Sequence, residues 1–134
     1  MSEQVNTHPL AEKIAALQMD ERDGYEGFVV APADLVSTAT ALRDEHGYDM
    51  LTSVTGVDLI EQDLMEVVYH FYKSTGGSGI TVHVQVPRSK PVVPSLYNVY
   101  MSADFQEREA WDLLGIDFDG HPDLRRILMW EGFG

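Results

Sequence analysis

The residues best suited to chemistry in this chain are carboxylates, histidines and arginines gathered in its C-terminal third. On a helical wheel with about 100° between residues, Ala110, Trp111, Leu113 and Leu114 share one face and Glu107 falls inside it, while Arg108 and Asp112 sit together on another. A buried carboxylate without a partner costs several kcal/mol, so Glu107 must either be held by a cation or keep its proton to higher pH. Arg125 and Arg126 are the candidate cations, because a guanidinium fork can bind a carboxylate through two parallel hydrogen bonds. In an extended segment adjacent side chains point apart, so one arginine can face Glu107 and the other a neighbouring subunit. Which does which stays open. A Glu107–arginine clamp is the preferred reading, since unpaired buried charge is rare. The alternative uses Glu107 with His121 as an acid–base pair in a stand-alone enzyme, but no nucleophile is placed to work with them.

Two further groups could bind metal. In a hairpin register that sets Lys73 opposite Ile80, His70 and His83 face each other with Glu66 nearby, a weak zinc or nickel candidate for want of a fixed third ligand. Two half-exposed histidines on a solvated or partner-covered sheet face are the preferred account. Asp117, Asp119, His121 and Asp123 offer hard ligands, yet they lack the bidentate glutamate of a calcium loop. There a turn is the simpler reading, with Gly120 permissive, Pro122 fixed in φ and aspartates capping amides. Trp111 and Trp130 read as core or interface anchors.

The elements that must position these groups follow from periodicity. Leu10, Ile14 and Leu17 mark a helix over 7–19 capped by Asn6 or Thr7, and Phe28-Val29-Val30 is a short strand closed by Pro32. Leu35, Val36, Ala39 and Leu42 predict a helix over 32–46, stopped at His46-Gly47. Residues 48–59 read as a strand, with Gly56 a bulge or strand end. Ile80, Val82, Val84 and Val86 alternate with polar residues, so 79–87 is a strand with one buried face and 64–73 its hairpin partner. Pro87, Pro91 and Pro94 end the sheet, and 92–101 reads as a short helix entered through proline. Asp104 and Glu107 have capping-box spacing and open a helix over 103–115 that stops at Gly115.

Nine Lys plus Arg stand against twenty-two Asp plus Glu, a net charge of −13, in 134 residues without cysteine. That excludes an electrostatic footprint for nucleic acid or an anionic membrane. It also excludes disulfides, iron–sulfur ligation and thiol nucleophiles. No apolar run is long enough to span a bilayer, and the N-terminus lacks the pattern of a signal peptide. The length suits a single domain.

Glu107-Arg108-Glu109, Asp112-Leu113-Leu114, His121 and Arg125-Arg126-Ile127-Leu128-Met129 together resemble the signature of the C subunit, or thirty-kilodalton subunit, of proton-translocating NADH:quinone oxidoreductase. Leu51-Thr52-Ser53-Val54-Thr55-Gly56-Val57-Asp58 and Glu66-Val67-Val68-Tyr69 resemble two strands of the same family, which extends to chloroplast-type dehydrogenases and membrane-bound hydrogenases. The resemblance implies a cofactor-free accessory subunit of the hydrophilic arm, not catalytic alone, which supports the large quinone-site subunit beside iron–sulfur subunits. It further implies a cytoplasmic place, peripheral to the inner face of the cell membrane, and signature residues that serve structure or interface. Family chains continue into a partner-wrapping tail, expected to be absent here because the sequence stops at Trp130-Glu131-Gly132-Phe133-Gly134. The expected fold is α+β, a two-layer domain over 1–134 with a mixed sheet of four or five strands packed on helices. Self-association of the isolated domain is an accompanying expectation. An acidic interaction module unrelated to respiration is the remaining alternative.

Overall fold

The computed structural model describes residues 17–19, 27–77 and 79–121. Strands β1 (Gln18–Met19), β2 (Phe28–Val29), β3 (Met50–Leu59), β4 (Leu64–Tyr72) and β5 (Ile80–Pro87) form a mixed sheet in the order β1-β2-β5-β4-β3. β2 runs parallel to β5 and the other pairs are antiparallel. Helices α1 (Leu35–Glu45) and α2 (Ala103–Leu114) complete the α+β architecture. A separate parallel pair joins β6 (Val92–Pro94) to β7 (Asp117–Asp119).

The alternation seen in the sequence sorts the sheet faces. Met65, Val67, Tyr69 and Phe71 of β4 lie with Ile80, Val82, Val84 and Val86 of β5 in one core, with Leu35, Ala39 and Leu42 of α1 and Ala103 and Ala110 of α2. Each side of that core is specified by the pleat's period of two or the helix's period near four, so residue types fix which face carries the apolar core, while polar Glu66 and His83 on the opposite face, expected to be open, are buried as well.

Several expectations are corrected. Gln18 and Met19 are strand rather than the end of a helix, paired with Val29 and Phe28, and the rest of the expected 7–19 helix lies outside the described residues. Residues 92–94 are strand rather than helix, because β-branched Val92 and Val93 between Pro91 and Pro94 suit a short ladder. Only a single helical turn follows, with the Val99 and Tyr100 amides donating to Leu96 O. The hairpin register is shifted by two: Phe71, not Lys73, faces Ile80. An even shift preserves the faces, so the buried side is the expected one while the cross-strand pairs are not. Gly56 is neither bulge nor strand end; it pairs with Val67, and the irregularity falls between Leu51 and Ser53. A Cβ at Gly56 would lie 2.6 Å from Leu114 Cδ1 and 3.1 Å from Ile116 Cδ1, so the glycine lets α2 approach the sheet. Leu113, expected on the apolar face, is 69% exposed.

Candidate functional site

Glu107 sits one turn into α2 and is fully buried. Pro94 ends β6 and delivers Ser95 and Leu96 to it: Ser95 Oγ donates to Oε1 at 2.6 Å and the Leu96 amide donates to Oε2 at 2.8 Å. Ser95 Oγ in turn accepts from the Tyr97 amide at 3.0 Å, a local side-chain turn of the kind serine favours. The carboxylate therefore fastens the start of the 96–100 turn to the helix. Burial pushes the Glu107 carboxyl above its ordinary range, against the hydrogen bonds from Ser95 and Leu96 and the nearby His121, which pull it down.

The His121 ring is enclosed, its Nε2 3.0 Å from Asp104 Oδ1 and 4.0 Å from Glu107 Oε1, and tilted against Tyr97 with centroids 5.7 Å apart. Its amide donates to Phe118 O across a turn in which Gly120 has φ +89°, as the sequence suggested. Asp104 makes no capping bond to the helix. Ser102 occupies the cap position, again without a side-chain capping bond, and Asp104 faces His121 and, at 3.4 Å, Arg108. The tertiary partner outcompetes the local one.

The site thus gathers Glu107, Arg108 and His121 of the sequence-selected residues, and adds Asp104, Ser95 and the Leu96 amide. Ser95 was legible as a turn former after proline, but not as a partner of Glu107. Glu109 is exposed and Asp112 half-buried on the outer side of α2. Arg125, Arg126 and Trp130 lie outside the described residues, so the expected clamp does too. What holds Glu107 within the described residues is two neutral donors and a histidine. Three cavities among the described residues are lined by other side chains than Glu107 and His121. Tyr69, fully buried, has its phenol pushed well up by burial and by the charge of Glu107.

The expected pairing of His70 with His83 does not form. The shifted register sets His70 opposite Thr81 and His83 opposite Val68. His83 instead leans diagonally to Glu66, Nδ1 to Oε2 3.5 Å, and Gln85 Nε2 donates to the same oxygen at 3.2 Å. Glu66 and His83 are buried, and among the described residues no group of three His, Asp or Glu side chains is arranged to hold a metal ion.

The groove edge of the sheet was not foreseen. α2 runs alongside β3 in the same sense, Ser102 Oγ donating to Leu51 O at 2.9 Å and Gln106 Oε1 accepting from the Val54 amide at 2.6 Å. Further along, Val54, Thr55, Gly56, Glu109, Ala110, Leu113 and Leu114 enclose a groove of about 310 Å³.

Residues 28–134 match the family described as respiratory-chain NADH dehydrogenase, 30 Kd subunit. The chain is 43% identical over 117 residues to the C subunit of NADH-quinone oxidoreductase from Moorella thermoacetica, a match covering 86% of this chain and 79% of that protein. It is 47% identical over 100 residues to the corresponding C subunit from Phenylobacterium zucineum, covering 74% of this chain and about half, 47%, of that relative's length. A solved trypsin-resistant fragment of Nqo5 superposes with a TM-score of 0.70 at 30% identity, covering 92% of this chain and 98% of the fragment.

Proposed function

Because the chain belongs to the 30 kDa subunit family of respiratory-chain NADH dehydrogenase, we propose that it serves as an accessory subunit of the hydrophilic arm of an NADH:quinone oxidoreductase-type complex. The family match over residues 28–134 carries this reading. The residues agree with it: a sequence without cysteine offers no ligand for an iron–sulfur cluster, and the buried carboxylate is spent on backbone and serine donors. Its partners are the large quinone-site subunit and neighbouring iron–sulfur subunits, and through them it lies at the inner face of the membrane. Among the described residues no helix is long and apolar enough to cross a bilayer. The signature serves architecture: Glu107 locks α2 to the 95–100 turn and His121 ties the segment after β7 to Asp104 of α2, which Arg108 flanks within the helix, while Glu109 and Asp112 face outward to a neighbour.

Tagged chain purified from host membranes under mild detergent is expected to bring down other members of such a complex. Recovery of the chain alone, with the rest of the complex intact in the same membranes, would overturn the reading.

A further inference from the structure

The open half of strand β3 differs from the closed half. In the antiparallel pair with β4, the residues facing Tyr69, Val67 and Met65 are Val54, Gly56 and Asp58. The Val54 amide points away from β4, since it donates to Gln106. Residues of the same parity on a regular strand present both backbone groups to the same side, so the N–H and C=O of Gly56 and Asp58 also face the open edge. Ser102 and Gln106 cover Leu51 and Val54, but no hydrogen bond from another described residue reaches the outward groups of Gly56 and Asp58. Helix and strand cover matching lengths: the twelve residues of α2 rise about 18 Å, as five or so strand residues do. The cover fails only where Ala110 and Leu114 close on side-chainless Gly56 and leave the groove.

We propose that this edge, residues 56–59 with the groove beside it, accepts an extended strand of a partner subunit in which apolar residues alternate with Lys or Arg. The amides and carbonyls that no other described residue reaches supply the ladder, and the groove beside exposed Leu113 takes alternate apolar side chains. Charge selects the sign. Asp58 and Asp63 are engaged by Arg88, whereas exposed Glu61 and Glu109 have no ion pair among the described residues. A second copy would set these acidic rims against each other, so the occupant is a basic strand and not another edge of this chain. The inference takes from the proposed function only that a partner subunit supplies the strand.

The test uses the full chain and a short, end-blocked peptide of alternating Val and Lys, read by fluorescence anisotropy and by amide exchange. Binding is expected to slow exchange at Gly56 and Asp58, leave Val54 unchanged, and weaken with salt. N-methylation of the peptide amides facing the edge is expected to weaken binding about three- to tenfold per bond lost. Asp58→Pro removes an outward donor and is expected to bind more weakly than Asp58→Ala, which removes the same carboxylate only. Equal binding of the methylated peptide, protection elsewhere, or concentration-dependent dimers formed through β3 would each overturn the proposal. Because the peptide reports on the edge and membrane co-purification on the complex, either can fail alone.

Discussion

Replacing Glu107 with alanine removes the acceptor from two donors at once, the buried Leu96 amide at 2.8 Å and the half-buried Ser95 hydroxyl at 2.6 Å. An orphaned buried donor costs about 1–3 kcal/mol, so the pair amounts to about 2–5 kcal/mol with partial relaxation. That is a large share of the roughly 5–15 kcal/mol that holds a domain together. With a urea slope of about 1–3 kcal/mol per molar, the midpoint is expected to fall by about 1–3 M, with faster exchange at the Leu96 amide. Glu107→Gln keeps an acceptor for Leu96 and can donate to Ser95, so it is expected to cost less, about 1–2 kcal/mol. The pH dependence has a definite sign. Burial raises the carboxyl's pKa in the folded state, so its contribution is fully present below the ordinary carboxylate value and declines as pH rises through the raised value. The stability difference between wild type and Glu107→Gln is therefore expected to shrink with rising pH across that window. An alanine variant within about 0.5 kcal/mol of wild type, or a difference that grows with pH, would refute the reasoning.

Gly27→Ala is expected to destabilise by at least about 2 kcal/mol, because φ is +101° and a Cβ would run into the Thr81 carbonyl, where β2 joins β5; an unchanged melting temperature would contradict this. Gly56→Val is expected to cost about 1–3 kcal/mol by overpacking against Leu114 and Ile116, and urea denaturation measures it. Gln106→Ala uncovers the Val54 amide and is expected to cost about 0.5–1.5 kcal/mol while extending the exchange-labile stretch of β3 back to Val54. Arg88 holds the Asp58 carboxyl below its usual range through bonds at 2.8 and 3.2 Å, so Arg88→Gln is expected to raise the Asp58 titration seen by NMR. An unmoved titration would show that the pair does not persist in solution.

The sequence by itself determined the sheet faces of β4 and β5, helix α1, helix α2 and the burial of Glu107. Each of these rests on a local period, and even a two-residue slip in register leaves a period of two intact. The same periodicity misplaced Leu113, because a wheel shows which side is apolar without showing how far the neighbouring layer extends. Apart from periodicity, the motif over residues 107–129 resembles the family's signature, and that resemblance pointed to the family before any fold was drawn.

Tertiary structure decided what those residues touch. Asp104 reads as a cap on the chain but turns to His121, because a partner brought from β7 offers a better bond than a local amide. His70 and His83 part because the loop between β4 and β5 is too long to fix the register, which side-chain packing then sets. Gly56 looks like a flaw in a strand until Leu114 is seen pressing on it. Ser95 and Leu96 become the holders of Glu107 only once β6 lies beside β7. Local spacing encodes which groups are buried or exposed, whereas the identity of a partner across the fold depends on register and layer packing, which no single segment contains.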